Sequence, residues 1–130
     1  MTDILPARGE VWYADLGETR GREQAGNRPA LIISIDGFNG GPAELVIVVP
    51  LTRKDKGIPY HVKVVPPEAG LSATSFIKCE DIRSISKERL SRRLGRVSVT
   101  TMFEVADHLQ TLLGLWGAAL TPPPLPRTCT

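Results

Sequence analysis

The sequence has few of the residues that build metal centres, disulfide frameworks or membrane spans. Cysteine occurs only at Cys79 and Cys129, and histidine only at His61 and His108. Two isolated cysteines form neither a zinc-binding pattern nor a disulfide framework, which favours a reducing compartment. No charged segment leads into an apolar stretch after Met1, and no apolar run approaches the ~20 residues that would cross a bilayer. We therefore expect a cytoplasmic protein with no metal site and no cofactor.

An excess of charge of one sign is also missing. Lys and Arg number 16 against 14 Asp and Glu, which gives a net charge of +2 at pH 7. This balance does not by itself indicate a nucleic-acid partner, so any basic surface must come from the placement of charges. The chain is 42% hydrophobic over 130 residues. That is enough apolar material for one core and one domain.

What the chain does contain is a series of short apolar segments bounded by glycine and proline, which is typical of an all-β domain. Strands are predicted at residues 10–16, 29–35, 45–51, 60–65, 74–82 and 94–97. The second and third are nearly continuous apolar runs, which favours strands buried on both faces at the centre of the sheet. Polar connections are predicted at residues 17–27, 36–42 and 52–59, and a Lys/Arg-rich turn at residues 86–93.

The hydrophobic period changes after residue 100. Apolar residues then recur at spacings of three and four, which predicts a C-terminal helix lying on the sheet. They are Met102, Val105, Ala106, Leu109, Leu112, Leu113 and Trp116. Thr101 and Glu104 are spaced as a capping box at its start. The division predicted is an N-terminal extension of residues 1–7, a folded domain of residues 8–120, and a proline-rich, disordered tail of residues 121–130.

Arg28 stands between a polar loop that contains glycine and the first of the two central strands. A guanidinium keeps its charge at any working pH and binds planar oxyanions through two parallel hydrogen bonds. Loops held by a rigid scaffold are also where binding residues concentrate. The position of Arg28 therefore predicts phosphate binding.

Four segments taken together resemble the MazF/PemK toxins of bacterial toxin-antitoxin modules. They are residues 8–12 (RGEVW), 23–34 (EQAGNRPALIIS), 49–52 (VPLT) and 81–85 (DIRSI). The resemblance runs from about residue 8 to about residue 115, and it includes the loop lengths and the final helix. It implies an SH3-like, partly open β-barrel with a C-terminal α-helix, and a homodimer.

The activity that the resemblance implies is growth inhibition by a sequence-specific endoribonuclease that cuts single-stranded RNA without a metal. Its implied inhibitor is a cognate, MazE-like antitoxin, whose acidic, otherwise disordered segment covers the RNA groove. The RNA motif that is cut does not follow from the sequence, because base choice depends on the shape of the groove.

Metal-free cleavage uses the ribose 2′-hydroxyl as the nucleophile and leaves a cyclic phosphate and a 5′-hydroxyl. Arg28 and Thr52 match the family's catalytic positions. Because the pKa of a guanidinium lies above about 12, we expect Arg28 to stabilise charge rather than to transfer a proton. We expect the Thr52 hydroxyl to bind a non-bridging oxygen. Glu23, ionised at neutral pH, is the candidate general base.

Further residues are predicted to contact RNA: Arg22, Gln24, Asn27, Arg53, Lys54, Lys56, Lys78 and Glu80. In a plasmid-borne branch of the family, a histidine in the first loop acts with an arginine and an aspartate on a later strand. The matching positions here are Arg22, Lys78 and Glu80, so the histidine is missing and that branch's mechanism does not transfer directly. The basic residues of the loop at 53–56 are either a solvated surface or a track for the RNA backbone.

Each site residue also has a purely structural interpretation. Arg28 could pair with Glu23, and Thr52 could bond its own backbone. Structural roles are expected for five more residues. They are Trp12, Phe76 and Cys79 in the core, His61 on a strand surface and His108 on the polar side of the helix.

Two other functions stay open. The segment Trp116-Gly117-Ala118 faintly resembles the end of CcdB-type toxins, which share this fold but bind and poison DNA gyrase without cutting RNA. A non-catalytic SH3-like adaptor is the third possibility, in which the arginine loop would serve structure alone.

Overall fold

The computed structural model describes residues 5–18, 21 and 23–115. Within these residues a mainly antiparallel β structure is followed by one long helix. The strands are β1 (Glu10–Asp15), β2 (Asn27–Ile32), β3 (Leu45–Thr52), β4 (His61–Val64), β5 (Ser75–Lys78), β6 (Arg83–Ser86) and β7 (Leu90–Arg96). The helices are α1 (Asp36–Asn39), between β2 and β3, and α2 (Val99–Leu113) at the end. No described helix is long and apolar enough to span a membrane.

The strands follow the order β4-β5-β3-β2-β1-β7, with β6 also paired to β3. One edge of β3 is shared: residues 45–48 pair with β6, and Leu51 and Thr52 pair with β5. Among the described residues, β4 and β7 form no ladder with each other, so the curved sheet stays open. The predicted fold class, a partly open β-barrel with a C-terminal α-helix, is confirmed.

The two central strands bury both of their faces, as predicted. Leu31 and Val49 belong to a core cluster that also contains Val105 from α2. Ala30 and Val48 point the other way, into a second cluster on the opposite face of the sheet. Because successive side chains of a strand alternate between faces, burial on both sides requires an unbroken apolar run.

The strand predicted at residues 74–82 is interrupted. A 3₁₀ turn at Cys79–Asp81 separates β5 from β6. Cys79 is fully buried, as predicted, but it lies in this turn rather than in a strand. Burial and the neighbouring Glu80 carboxylate raise the pKa of the Cys79 thiol to about 12, so this sulfur stays protonated at neutral pH.

The Lys/Arg-rich turn predicted at residues 86–93 is mostly strand. A 3₁₀ turn at Lys87–Arg89 is followed directly by β7, which pairs with β1 along the edge of the sheet. Leu90 is buried, whereas the arginines that follow it are exposed. Exposed charges on an edge strand discourage pairing with other chains.

The helix α2 begins at a different cap from the one predicted. Ser98 is the N-cap, and its Oγ accepts a hydrogen bond from the Thr101 backbone nitrogen at 3.1 Å. The capping box of Thr101 with Glu104 is wrong, because Thr101 lies inside the first turn and donates to Glu68 instead. The helix ends at Leu113, followed by Gly114 in a left-handed conformation. That conformation suits a residue without a Cβ.

Several predictions fall on residues outside those described. They concern residues 1–4 of the extension, Arg22, Trp116 at the end of the helical stripe, the tail at residues 121–130, and Cys129. The division into an extension, a domain and a tail stays a prediction.

Candidate functional site

Arg28 and Thr52 lie at the same end of the two central strands. The ladder of β2 and β3 pairs Leu31 with Val49 and Ala30 with Pro50. Continuing this register by two residues sets Arg28 opposite Thr52. The Arg28 side chain is exposed, and its Nε donates to the Ala25 carbonyl at 3.0 Å. The terminal nitrogens of the guanidinium thereby stay available for an anion.

The same two residues line one pocket of about 290 Å³. Tyr13, Arg53 and Arg92 contribute to its wall. The Thr52 Oγ1 accepts a hydrogen bond from the Lys54 backbone nitrogen at 3.2 Å. That contact is the structural role foreseen for Thr52, but it uses a lone pair of the oxygen. The hydroxyl hydrogen remains able to bind a phosphate oxygen.

This pocket is cationic. No Asp or Glu is among its lining residues. Within the described parts of the chain, Arg28, Arg53 and Arg92 have no carboxylate within ion-pair distance, whereas other arginines do: Arg83 with Asp81, Arg89 with Asp15, and both Arg93 and Arg96 with Glu10. Uncompensated guanidiniums that converge on one concave site attract and bind anions.

Arg92 is the member of this pocket that the sequence did not reveal. Its guanidinium carbon lies 5.5 Å from the centre of the Tyr13 ring, an arrangement that favours a cation. Arg92 and Tyr13 are direct partners in the ladder of β1 and β7. Only the assignment of β7 as a strand would have brought them together, because 79 positions separate Tyr13 from Arg92 in the sequence.

A second pocket, of about 440 Å³, holds most of the predicted acidic and lysine residues. It is lined by Glu23, Lys56, Ile58, Lys78, Glu80 and Asp81. Glu23 therefore lies in a different pocket from Arg28. No ion pair joins these two residues in the structure as described, so the interpretation that Arg28 merely pairs with Glu23 is wrong.

Gln24 ties the first loop to the turn after β5. Its backbone nitrogen donates to Asp81 Oδ2 at 2.8 Å, and its carbonyl accepts from Arg83 Nη2 at 2.9 Å. Lys78 is buried beside this junction, with its Nζ 3.6 Å from Asp81 Oδ2 and 3.5 Å from Gln24 Oε1. These contacts fix the loop that leads to Arg28. They give Gln24 and Lys78 a positioning role, and direct RNA contact by either stays a prediction.

His61 was predicted on a strand surface, and this is wrong for its side chain, which is only 3% exposed. Its Nε2 lies 2.8 Å from Glu80 Oε2. Its Nδ1 is buried and has no hydrogen-bond partner among the described atoms. The turn at Cys79–Asp81 brings Glu80 over the ring. Glu80 is held at the rim of the second pocket by this contact.

The remaining candidates are placed as follows. Asn27, Lys54 and Lys56 are exposed, as is Arg53 at the wall of the first pocket. His108 is half-buried, and its ring meets that of Tyr60 edge-on with the centroids 5.8 Å apart. Trp12 and Phe76 are half-buried rather than fully in the core. The described residues contain no cluster of His, Cys, Asp and Glu that would hold a metal ion.

Comparisons with known proteins identify related sequences and structures. The protein "Endoribonuclease MazF9" of Mycobacterium tuberculosis is 37% identical over 114 residues, which cover 84% of this chain and 97% of the relative. A crystal structure of MazF from Deinococcus radiodurans superposes with a TM-score of 0.76 at 29% identity, covering 87% of this chain and all of that one. A mycobacterial endoribonuclease in complex with its cognate antitoxin superposes with a TM-score of 0.69 at 31% identity, covering 88% and 98%.

The family match includes both pockets and extends to the end of α2. Residues 7–113 match the family described as the PemK-like, MazF-like toxins of type II toxin-antitoxin systems. Since this range is most of the chain, the chain belongs to that family.

Proposed function

We propose that this toxin is a sequence-specific endoribonuclease that cleaves single-stranded RNA without a metal ion. The observation that carries the proposal is the convergence of Arg28 and Thr52 on a cationic pocket that has no carboxylate in its wall. The relative from Mycobacterium tuberculosis, named an endoribonuclease, supports the same reaction class. RNA presents the anion that such a pocket fits, a phosphodiester.

In the proposed reaction, the 2′ oxygen attacks the adjacent phosphorus while a base takes the 2′ proton. The bond from phosphorus to the 5′ oxygen then breaks, and this oxygen takes up a proton from solvent water and leaves as a hydroxyl. Arg28 stabilises the charge that builds up on the phosphoryl oxygens, because its guanidinium stays protonated and can form two parallel hydrogen bonds. Thr52 donates its hydroxyl hydrogen to one of these oxygens and holds the phosphate in line with its attacker. The products are a 2′,3′-cyclic phosphate and a 5′-hydroxyl.

Glu23 is the proposed base. It is exposed, and it lines the pocket next to the loop that carries Arg28. Glu80 is another carboxylate in this pocket, and His61 holds one of its oxygens in place. Lys56, on the same wall, supplies a cation for the RNA backbone.

The decisive experiment is cleavage of single-stranded RNA in excess EDTA, with the ends of the products identified. We expect cyclic-phosphate and 5′-hydroxyl ends. The variant Arg28→Ala should show the circular dichroism and melting temperature of the wild type but no cleavage. Arg89→Ala, which removes an exposed arginine paired with Asp15 outside both pockets, is the matched control and should cleave normally. Full cleavage by Arg28→Ala would refute the proposed site.

The same preparation tests the alternative of gyrase poisoning. That reading depends on residues 116–118, which lie outside the described residues and beyond the family match. Trapped complexes of DNA with gyrase, together with intact RNA, would establish it in place of the nuclease. Intact RNA without trapped complexes would instead favour a non-catalytic adaptor.

The proposal includes a homodimer in the cytoplasm that a cognate, MazE-like antitoxin neutralises. One related toxin has been solved with its antitoxin. An acidic segment of an antitoxin would be drawn to the pocket of Arg28 and Arg53 by charge. Val99 and Phe103 on α2 are 75% and 72% exposed, an apolar surface that favours association between copies. Light scattering of the purified chain tests the dimer.

A further inference from the structure

Arg92 is a cation that the proposed chemistry does not use. The scissile phosphate carries one negative charge, and Arg28 with Thr52 already provides a guanidinium and a hydroxyl for it. The pocket nevertheless contains further guanidiniums, Arg53 and Arg92. Arg53 belongs to the exposed loop after β3, whereas Arg92 is fixed within strand β7.

Arg92 differs from the other arginines of β7, because it alone has no carboxylate partner among the described residues. Arg93, the next residue, forms an ion pair with Glu10 at 2.8 Å. Arg96 lies 3.7 Å from the same carboxylate. Within the described residues, Arg92 is left to the ring of Tyr13. Glu10 of β1 thus pairs with both Arg93 and Arg96, whereas the arginine of β7 that lines the pocket has no carboxylate partner among the described residues.

The contact with Tyr13 also affects how Arg92 can bind a ligand. A ring attracts a guanidinium placed over its face without using the N–H donors, which lie in the plane of the guanidinium. The ring thus limits the freedom of a long side chain while the donors stay available. Less conformational entropy is then lost when an anion binds.

We propose that Arg92, held over Tyr13, binds a phosphate next to the scissile one in the RNA backbone. This contact sets the position of the RNA in the pocket. The inference rests on the proposed nuclease function. It deepens that function by naming Arg92 as a substrate-positioning residue with no part in the chemical step. Successive phosphates of a single strand are the anions that a pocket with several guanidiniums fits.

The test compares cleavage kinetics and RNA affinity across variants of the full chain. For Arg92→Ala we expect KM to rise about fivefold to thirtyfold, the range for a loss of one or two kcal/mol, with kcat changed less than about twofold. The slope of log affinity against log salt should fall by about 0.7, the value for one phosphate contact on a single strand. Arg92→Lys should restore the salt slope but only part of the affinity. Tyr13→Leu should raise KM less than Arg92→Ala does.

Substrates in which one linkage is a neutral methylphosphonate identify the phosphate. Neutralising the linkage that Arg92 binds should weaken binding by the wild type but not by Arg92→Ala, so the two changes should not add. Arg89→Ala is the control. Each neutral linkage should weaken RNA binding by Arg89→Ala as much as it weakens binding by the wild type. If no linkage flanking the scissile one shows this coupling, or if Arg92→Ala lowers kcat without raising KM, the inference is wrong.

The two failures can be told apart. Continued cleavage by Arg28→Ala would refute the nuclease site itself. An inactive Arg28→Ala together with an unchanged KM and salt slope for Arg92→Ala would leave the nuclease in place and overturn only the role of Arg92. Weakened antitoxin binding by Arg92→Ala with unchanged RNA binding would also overturn it, and would assign Arg92 to the protein partner.

Discussion

The Nε2 of His61 lies 2.8 Å from Oε2 of Glu80, while the Nδ1 of the same ring is buried without a hydrogen-bond partner among the described atoms. A proton on Nε2 allows the ring to donate a hydrogen bond to this carboxylate. His61 thus holds Glu80 in place at the wall of the pocket that contains Glu23.

This pairing predicts that His61 and Glu80 are coupled in stability. We expect His61→Phe and Glu80→Ala each to lower the free energy of unfolding by about 1 kcal/mol, as for a hydrogen bond to a charged group that is partly exposed. The double variant should lose less than the sum of the two, because either change alone removes the bond. Urea unfolding of the wild type, the two single variants and the double variant measures these free energies. Strict additivity would show that the contact contributes nothing to folding.

The role of Thr52 predicts a difference between two conservative substitutions. Thr52→Val keeps the shape of the side chain and removes the hydroxyl, so kcat should fall about tenfold to a hundredfold, the effect of about 1.5–3 kcal/mol for a hydrogen bond to a charged group. Thr52→Ser keeps the hydroxyl and should retain most of the rate. Single-turnover cleavage in EDTA provides the measurement. Equal rates for the two variants would mean that Thr52 serves only the strand end, where it already bonds Lys54.

The central strands could be predicted from the sequence because burial on both faces leaves an unbroken apolar run. The positions of Arg28 and Thr52 at the ends of those strands could be predicted from the segments that carry them, whereas their roles in catalysis stay a prediction. The structure supplies the reason that they lie close together, since the register of β2 and β3, continued by two residues, sets one opposite the other.

Strand β7 was predicted at residues 94–97, but its first part, residues 90–93, and the burial of the His61 side chain could not be predicted, for two physical reasons. This part of β7 is rich in exposed arginines, and Glu10, the partner of Arg93 and Arg96, lies more than 80 positions away, so the local pattern resembles a solvated turn. His61 alternates with the buried Val62 as a surface residue would. Its side chain is nevertheless covered, because the 3₁₀ turn after β5 brings Glu80 over it. Contacts between distant segments decide both outcomes.

The cap of α2 predicts a pH-dependent contribution to stability. Glu68 Oε2 accepts hydrogen bonds from the Ser98 nitrogen at 2.9 Å and the Thr101 hydroxyl at 2.7 Å. Burial alone would raise the pKa of the Glu68 carboxyl, but these hydrogen bonds outweigh burial and lower the pKa below its ordinary value. A carboxyl whose pKa is lower in the folded state stabilises the fold above its unfolded pKa, and this contribution is lost as the pH falls through the folded value.

We therefore expect Glu68→Ala to lower the free energy of unfolding by about 1–2 kcal/mol at pH 7, because the donors of Ser98 and Thr101 lose their acceptor. The difference from the wild type should shrink as the pH falls below about 4.5. Glu104→Ala, at an exposed position of α2, is the control and should stay within about 0.5 kcal/mol. Urea unfolding between pH 7 and pH 3 tests this, and a difference independent of pH would contradict it.

The wall of the Arg28 pocket depends on a close approach of two backbone segments. A Cβ added at Gly95 would lie 2.5 Å from the Ala69 carbonyl carbon and 2.7 Å from the Gly70 nitrogen. A Cβ at Gly70 would overlap the Leu94 carbonyl oxygen. Gly70 and Leu94 both line the pocket. The turn at Glu68–Gly70 therefore rests directly on β7, beside a shift in the register of β1 and β7.

Gly95→Ala should therefore push the turn away from β7. We expect a loss of about 1–3 kcal/mol or more, as for overpacking against atoms that cannot move aside. If the variant still folds, its affinity for RNA should also fall, because the pocket wall shifts. Gly37→Ala is the matched control: nothing lies within 4 Å of its added Cβ, and Gly37 is in helix α1, where alanine is favoured over glycine. Thermal unfolding with RNA titration compares the two variants. An unchanged melting temperature for Gly95→Ala would mean that β7 and the turn can separate freely, and that the pocket is not held by this contact.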